Sequence, residues 1–182
     1  GTIPFTKYHG IGNDFILVDS TQAPFSNTNL PLTPEQSAKL CDRNYAVGGD
    51  GVIFACPSPD PSKYDYEMRI YNSDGTEPEM CGNGVRCLAK FLLKLEDAKL
   101  AKEGKGATKL PVQYRLKTGA GLIVPVVNAD GSITVDMGAP IFKPADVPCT
   151  LEANYNNGKY GSNGVVESPI SLPGYSDLVK VS

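Results

Sequence analysis

The residues best suited to do chemistry are Cys81 and the Gly82-Asn83-Gly84 run behind it, because they stand at the expected start of a buried helix. From Val85 to Leu95 the only polar residues are Arg86, Lys90 and Lys94, four apart, so they form one narrow stripe on a helix otherwise apolar all round. The first turn of a helix carries unpaired N–H groups and a partial positive charge, which favour thiolates and hold carboxylates. Glycine at that place lets the backbone close on a ligand. Cys81 admits two readings. It is a reactive thiol beside an anion-binding helix start, or it is a buried thiol of the cap region, where free cysteine often sits. The two glycines favour the first, since a purely structural helix start has no need of them.

Other polar residues gather at turns. His9-Gly10-Ile11-Gly12-Asn13-Asp14 separates two short β-rich runs, and Asn72-Ser73-Asp74-Gly75 leads from a strand toward Cys81. Asn13, Asp14 and Asn72 read equally as turn formers or as ligand contacts, while His9 is a weak candidate base without a visible partner. The first of these loops is no dinucleotide fingerprint, because the third glycine is missing and a strand comes next. Val47-Gly48-Gly49-Asp50-Gly51 lacks the Lys-Ser/Thr end of a phosphate loop.

Composition excludes several classes. The chain has 182 residues, 41% hydrophobic and 20% charged, with a net charge of −3, too mild to suggest a nucleic-acid or anionic-membrane partner. No run is long enough to span a membrane, and the opening residues show neither a signal-peptide core nor a transit-peptide texture. Five scattered cysteines match no zinc or redox spacing, their odd number argues against a disulfide framework, and a single histidine makes metal ligation poor.

These residues need elements to hold them. Strands are expected at residues 3–8, 15–19, 52–55, 66–71, 112–118, 122–127 and 133–137, the last two as a hairpin over Asn128-Ala129-Asp130-Gly131. Thr33-Pro34-Glu35-Gln36 matches a capped helix start running to about Arg43. Residues 96–111 read as a frayed helix end and exposed loop, and the Asn/Gly-rich stretch 154–164 as a mobile surface loop. The turn at residues 118–121 is the expected domain boundary, dividing the chain into 1–118 and 119–182.

Five stretches together carry a resemblance: His9-Gly10-Ile11-Gly12-Asn13-Asp14-Phe15, Gly49-Asp50-Gly51-Val52-Ile53-Phe54, Met68-Arg69-Ile70-Tyr71-Asn72-Ser73-Asp74-Gly75, Glu79-Met80-Cys81-Gly82-Asn83-Gly84-Val85-Arg86-Cys87, and Val135-Asp136-Met137-Gly138-Ala139-Pro140. In this order they resemble the diaminopimelate epimerases, most closely the plant and cyanobacterial branch. The resemblance implies an α+β fold, a β-barrel-like sheet wrapped round a central helix, with an incomplete second copy beginning at residue 119. It implies that Cys81 is one of two cysteines facing each other across the substrate α-carbon, one as thiolate base and the other as thiol acid, with no cofactor and no metal. Gly82 and Asn83 would hold the α-carboxylate, Asn13 and Asn72 would contact the substrate, and Gly51 would offer backbone only. The family's second Cys-Gly motif has no counterpart here, and Cys149, lacking a glycine-rich helix start, does not replace it.

The reaction implied is interconversion of L,L- and meso-diaminopimelate in lysine biosynthesis, in a plastid stroma if the source is plant or algal and otherwise in the cytoplasm. The partner expected is the small amino-acid substrate, with no nucleic acid and no membrane, and a homodimer is left open. A racemase of the same fold acting on another amino acid, such as proline, and a catalytically silent binding or assembly module are the alternatives.

Overall fold

The computed structural model describes residues 2–22, 24–26, 28–141, 143 and 146–147, and the backbone of 168–170 and 179–181. Cys149 and the stretch 154–164 lie outside the described residues. The chain divides into two compact units, Gly1–Met137 and Gly138–Ser182. In the second, β10 (Ser168–Ile170) pairs antiparallel with β11 (Val179–Val181).

The first unit is built on a six-stranded sheet of mixed direction. Its strands are β1 (Thr6–Gly10), β2 (Asn13–Asp19), β3 (Gly51–Pro57), β4 (Tyr66–Asn72), β6 (Leu116–Thr118) and β7 (Gly121–Ile123), hydrogen-bonded in that order. The pairs β2–β3 and β4–β6 are parallel, the others antiparallel. Side chains alternate across the sheet with period two. Phe15, Leu17, Ile53, Ala55, Met68 and Ile70 form one core with α2 (Gly82–Lys102). Ile16, Val18, Val52, Phe54, Cys56 and Tyr71 form a second core on the other face, with Leu40 of α1 (Pro34–Leu40) and Cys41 at its end. A sheet covered on both faces explains why β3 reads as an unbroken apolar run rather than an alternating one.

The start of α1 is as expected. Thr33 Oγ1 accepts from the Gln36 N–H at 3.3 Å and Gln36 Oε1 accepts from the Thr33 N–H at 2.9 Å, a complete capping box before Pro34. The helix stops at Leu40 rather than near Arg43, because Asp42 turns the chain by accepting from the Asn44 and Tyr45 N–H groups.

The second helix departs further from expectation. It runs on to Lys102, through the charged stretch that reads in sequence as frayed. Its polar end is tied down from outside. Glu96 accepts from the hydroxyls of Tyr66 at 3.1 Å and Tyr114 at 2.9 Å, and Asp97 accepts from the Thr108 N–H at 2.8 Å. Burial and the Glu96 carboxylate both raise the two phenols, so they stay protonated as donors.

The expected strands 112–118 and 122–127 each break in two. β5 (Val112–Gln113) pairs with β8 (Val126–Val127), while β6 pairs with β7, and the Tyr114 N–H bridges the break by donating to the Pro125 carbonyl at 3.1 Å. Pro125 lacks an N–H and cannot continue a regular ladder. The register is continuous across the break, so one bent hairpin leads from the six-stranded sheet into a three-stranded one, which β9 (Ile133–Thr134) completes by pairing with β8. The Asn128–Gly131 turn closes the β8–β9 hairpin as expected, Gly131 having φ +82°. Residues of both sheets, among them Leu116, Val127 and Ile133, pack with α2 in one core. The architecture is thus α+β. Closure into a barrel and a second copy are not seen among the described residues, where β1 and β7 remain the open edges of the larger sheet. The turn at 118–121 is the tip of the β6–β7 hairpin and lies within the first compact unit.

Candidate functional site

One end of the sheet collects the residues suited to chemistry. Phe15, Gly51 and Asn72 stand in one row across β2, β3 and β4. Asn13 is two residues before Phe15, and Asn72 two after Ile70, so alternation puts both on the face that packs against α2. Gly51 occupies a place where no side chain fits, since a Cβ there would lie 2.7 Å from the Tyr71 carbonyl oxygen.

Cys81 is the N-cap of α2, with extended backbone (φ −136°, ψ 116°). Its carbonyl accepts from the Val85 N–H at 2.8 Å, and its Sγ accepts from the Gly84 N–H at 3.4 Å. The sulfur therefore does what a serine or aspartate oxygen does at other helix starts. Asn13 Nδ2 lies 3.9 Å from the same sulfur, a long N–H···S contact. Asn83, in the first turn, accepts from Arg86 Nη2 through its Oδ1. Gly82 lies under Met137, whose sulfur and methyl carbon would each be 3.1 Å from a Cβ placed there.

Asn72 sits at the same sheet end but is held by its own turn. Its Nδ2 donates to Thr76 Oγ1 at 3.1 Å and its N–H to the Thr76 carbonyl at 2.8 Å, and its Oδ1 has no hydrogen-bond partner among the described residues. Asn13 is thus brought to Cys81 directly, Asn83 stands two residues on in the first turn of the same helix, and Asn72 joins through the sheet register. His9 stays apart from the contacts around Cys81 and lines a cavity of about 260 Å³ with Tyr8, Arg86, Lys90 and Ile133.

The turn that carries Asn13 is set by backbone geometry. Ile11 and Gly12 both have positive φ (+56° and +86°), the two-residue hairpin turn whose twist suits the flanking strands. Behind it an ion network holds β2. Asp14 pairs with Lys7 at 2.9 Å and with Arg43 at 2.5 Å, Arg43 reaches Asp50 at 2.9 Å, and the Asp14 N–H donates to Asp50 at 2.9 Å. The Arg43 hydrogen bond, helped by Lys7 against the opposing effect of burial, holds the Asp14 carboxyl well below its ordinary value. That ordinary value is about 3.9. A carboxyl depressed on folding adds stability that is fully present above pH ~4 and is lost as pH falls through the folded value. Thermal unfolding followed from pH 7 to pH 2 is therefore expected to show a steeper acid loss for the natural chain than for Asp14→Asn. Parallel curves would mean that the pairing contributes nothing.

Of the four described cysteines only Cys81 is partly exposed. Burial pushes the Cys56 thiol up to about 12 and the Cys87 thiol up to about 11, and raises Cys41 as well. Cys87 is a packing residue, as its place within the apolar helix suggests. Among the described residues no group of three or more His, Cys, Asp or Glu side chains is arranged to hold a metal ion. Sequence reasoning does not single out Arg86 or Met137. Arg86 is within its reach, standing three residues after Asn83 on one helix face; Met137 comes from a distant segment.

The chain has clear relatives. A family model described as diaminopimelate epimerase matches residues 5–143. A diaminopimelate epimerase from Synechococcus elongatus is 53% identical over 150 residues, covering 82% of this chain and 48% of that protein. One from Acaryochloris marina is 47% identical over 174 residues, 96% of this chain and 54% of its own. A rice protein named as the chloroplastic diaminopimelate epimerase is 45% identical over 170 residues, 93% of this chain and 42% of its own. The chain spans about half the length of the relatives it matches. Among solved structures, one described as a probable proline racemase from Agrobacterium radiobacter K84 aligns with a TM-score of 0.54 at 16% identity, over 98% of this chain and 48% of that one, a likeness of fold alone.

Proposed function

This chain belongs to the diaminopimelate epimerase family, and we propose that it carries one half of an active site that interconverts L,L- and meso-diaminopimelate for lysine biosynthesis without a cofactor. The observation that carries this reading is Cys81 at the N-cap of α2, with Gly84 N–H on its sulfur and Asn13 beside it. In one direction the Cys81 thiolate removes the α-proton, and the C–H electron pair moves toward the α-carboxylate. A second thiol, from a segment outside these residues, then delivers its proton to the opposite face, and the direction reverses with the substrate isomer. The N–H groups at Gly82 and Asn83 face the developing negative charge at a helix start, where it is favoured. Asn13 and Asn72 recognise the polar ends of the substrate; neutral amides suit this because each both donates and accepts. The bent hairpin round α2 is the start of the barrel-like wrapping. The site of action is the plastid stroma in a plant or alga, and the cytoplasm otherwise.

Deuterium exchange tests the base separately from the acid. Diaminopimelate incubated with this chain in deuterium oxide at millimolar substrate is expected to gain α-deuterium slowly, by mass spectrometry, because exchange needs only one working base. Exchange no faster than with Cys81→Ser would remove Cys81 from this role.

A further inference from the structure

Arg86, Lys90 and Lys94 form a narrow polar stripe on an otherwise apolar stretch of α2, and Arg86 is turned back toward the first turn of its own helix. Its Nη2 donates to Asn83 Oδ1. A guanidinium has five donors and no acceptor, so it can take only the oxygen end of a carboxamide. The other end of Asn83, Nδ2 with its two N–H groups, has no hydrogen-bond partner among the described residues. The pair is also confined from the side. At Gly10 an added Cβ would lie 3.3 Å from Asn83 Cβ and 3.4 Å from Arg86 Nη2, so the β1–β2 hairpin packs closely on both side chains.

We infer that Arg86 is a positioning residue: it fixes the Asn83 carboxamide with its oxygen turned to the guanidinium, so that Nδ2 is held as a donor for the α-carboxylate of the substrate at the start of α2. This rests on the proposed reading of that helix start as the carboxylate site. Without Arg86 the amide could rotate by half a turn and present an oxygen to the carboxylate, which repels it. With Arg86 in place only donors face the anion, and the orientation is set before the substrate arrives. Preorganised donors of this kind cost no reorganisation when charge develops.

Solution NMR on the ¹⁵N-labelled 182-residue chain tests it, because it tolerates weak binding. The Asn83 side-chain NH₂ signal is identified by its loss in Asn83→Ala. Its order parameter is expected to be that of a rigid group in the natural chain, to fall to that of a freely rotating amide in Arg86→Met, and to lie between the two in Arg86→Lys. Backbone shifts away from residues 81–86 should not move. On titration with diaminopimelate, Arg86→Met is expected to bind about tenfold more weakly, the range of a lost charge-assisted hydrogen bond. The double variant should bind no more weakly than Asn83→Ala alone. An order parameter unchanged in Arg86→Met overturns the inference, whether or not diaminopimelate binds. Additive losses in the double variant overturn it too, since Arg86 would then touch the substrate itself. If the amide loosens as expected while neither protein responds to diaminopimelate, the positioning stands and the carboxylate site is wrong.

Discussion

L,L-Diaminopimelate incubated with the 182-residue chain alone is expected to yield no meso isomer at a useful rate. The chain spans about half the length of the relatives it matches, and among the described residues Cys81 is the one cysteine at a glycine-rich helix start. Epimerisation requires an acid on one face while the base works on the other, and a positioned proton donor contributes about 10²–10⁴-fold. Water can return the proton, but a site open to water has a higher effective dielectric, which weakens the stabilisation of the carbanion. Adding back a downstream segment with a second Cys-Gly motif is expected to restore turnover. Chiral chromatography reads both arms. Meso product from the 182 residues at rates close to those of the completed protein would show the second thiol to be dispensable and would overturn the two-thiol mechanism.

In that completed protein, Cys81→Ser is expected to lower epimerisation by about 10²–10⁴-fold while leaving thermal stability unchanged or slightly raised. The two effects separate because the proposed mechanism gives Cys81 a second task beside its capping one. As an N-cap its sulfur accepts from the Gly84 N–H, and serine, a preferred N-cap, performs that task with oxygen. As a base, a serine hydroxyl beside a helix start is far too weak an acid to supply an alkoxide at neutral pH, and the loss is that of a general base. Cys81→Ala complements it, losing the cap as well, at about 1 kcal/mol. A serine variant that epimerises within tenfold of the natural protein would show that the thiol is only a cap.

Much of this is visible in the residues, and the exceptions have a common cause. The N-cap of α1 and the Asn128–Gly131 hairpin are local devices, in which each partner lies within four residues of the other, so spacing alone reveals them. The last turns of α2 escape a sequence reading because Glu96 and Asp97 look solvated there. Their partners Tyr66, Tyr114 and Thr108 stand between 11 and 30 residues away. The broken strands around Tyr114 and Pro125 escape it for a related reason: apolar alternation continues through the bend, and only packing round α2 makes the hairpin change sheets.

What the sequence determined by itself is the chemistry on offer: a thiol before Gly-Asn-Gly, a helix apolar enough to be buried, carboxamides at two turns, and the family that unites them. These are properties of short stretches, governed by residue type and period. Tertiary structure decided which of them meet. Asn13 reaches Cys81 across 68 residues because β1–β2 and α2 share one core, and Asn72 joins their end of the sheet through the register of β2, β3 and β4. It also brought the β1–β2 hairpin against the first turn of α2, where a Cβ at Gly10 would lie 3.3 Å from Asn83 Cβ and 3.4 Å from Arg86 Nη2. Contacts of that kind depend on how whole elements stack, and no spacing within a single element encodes them.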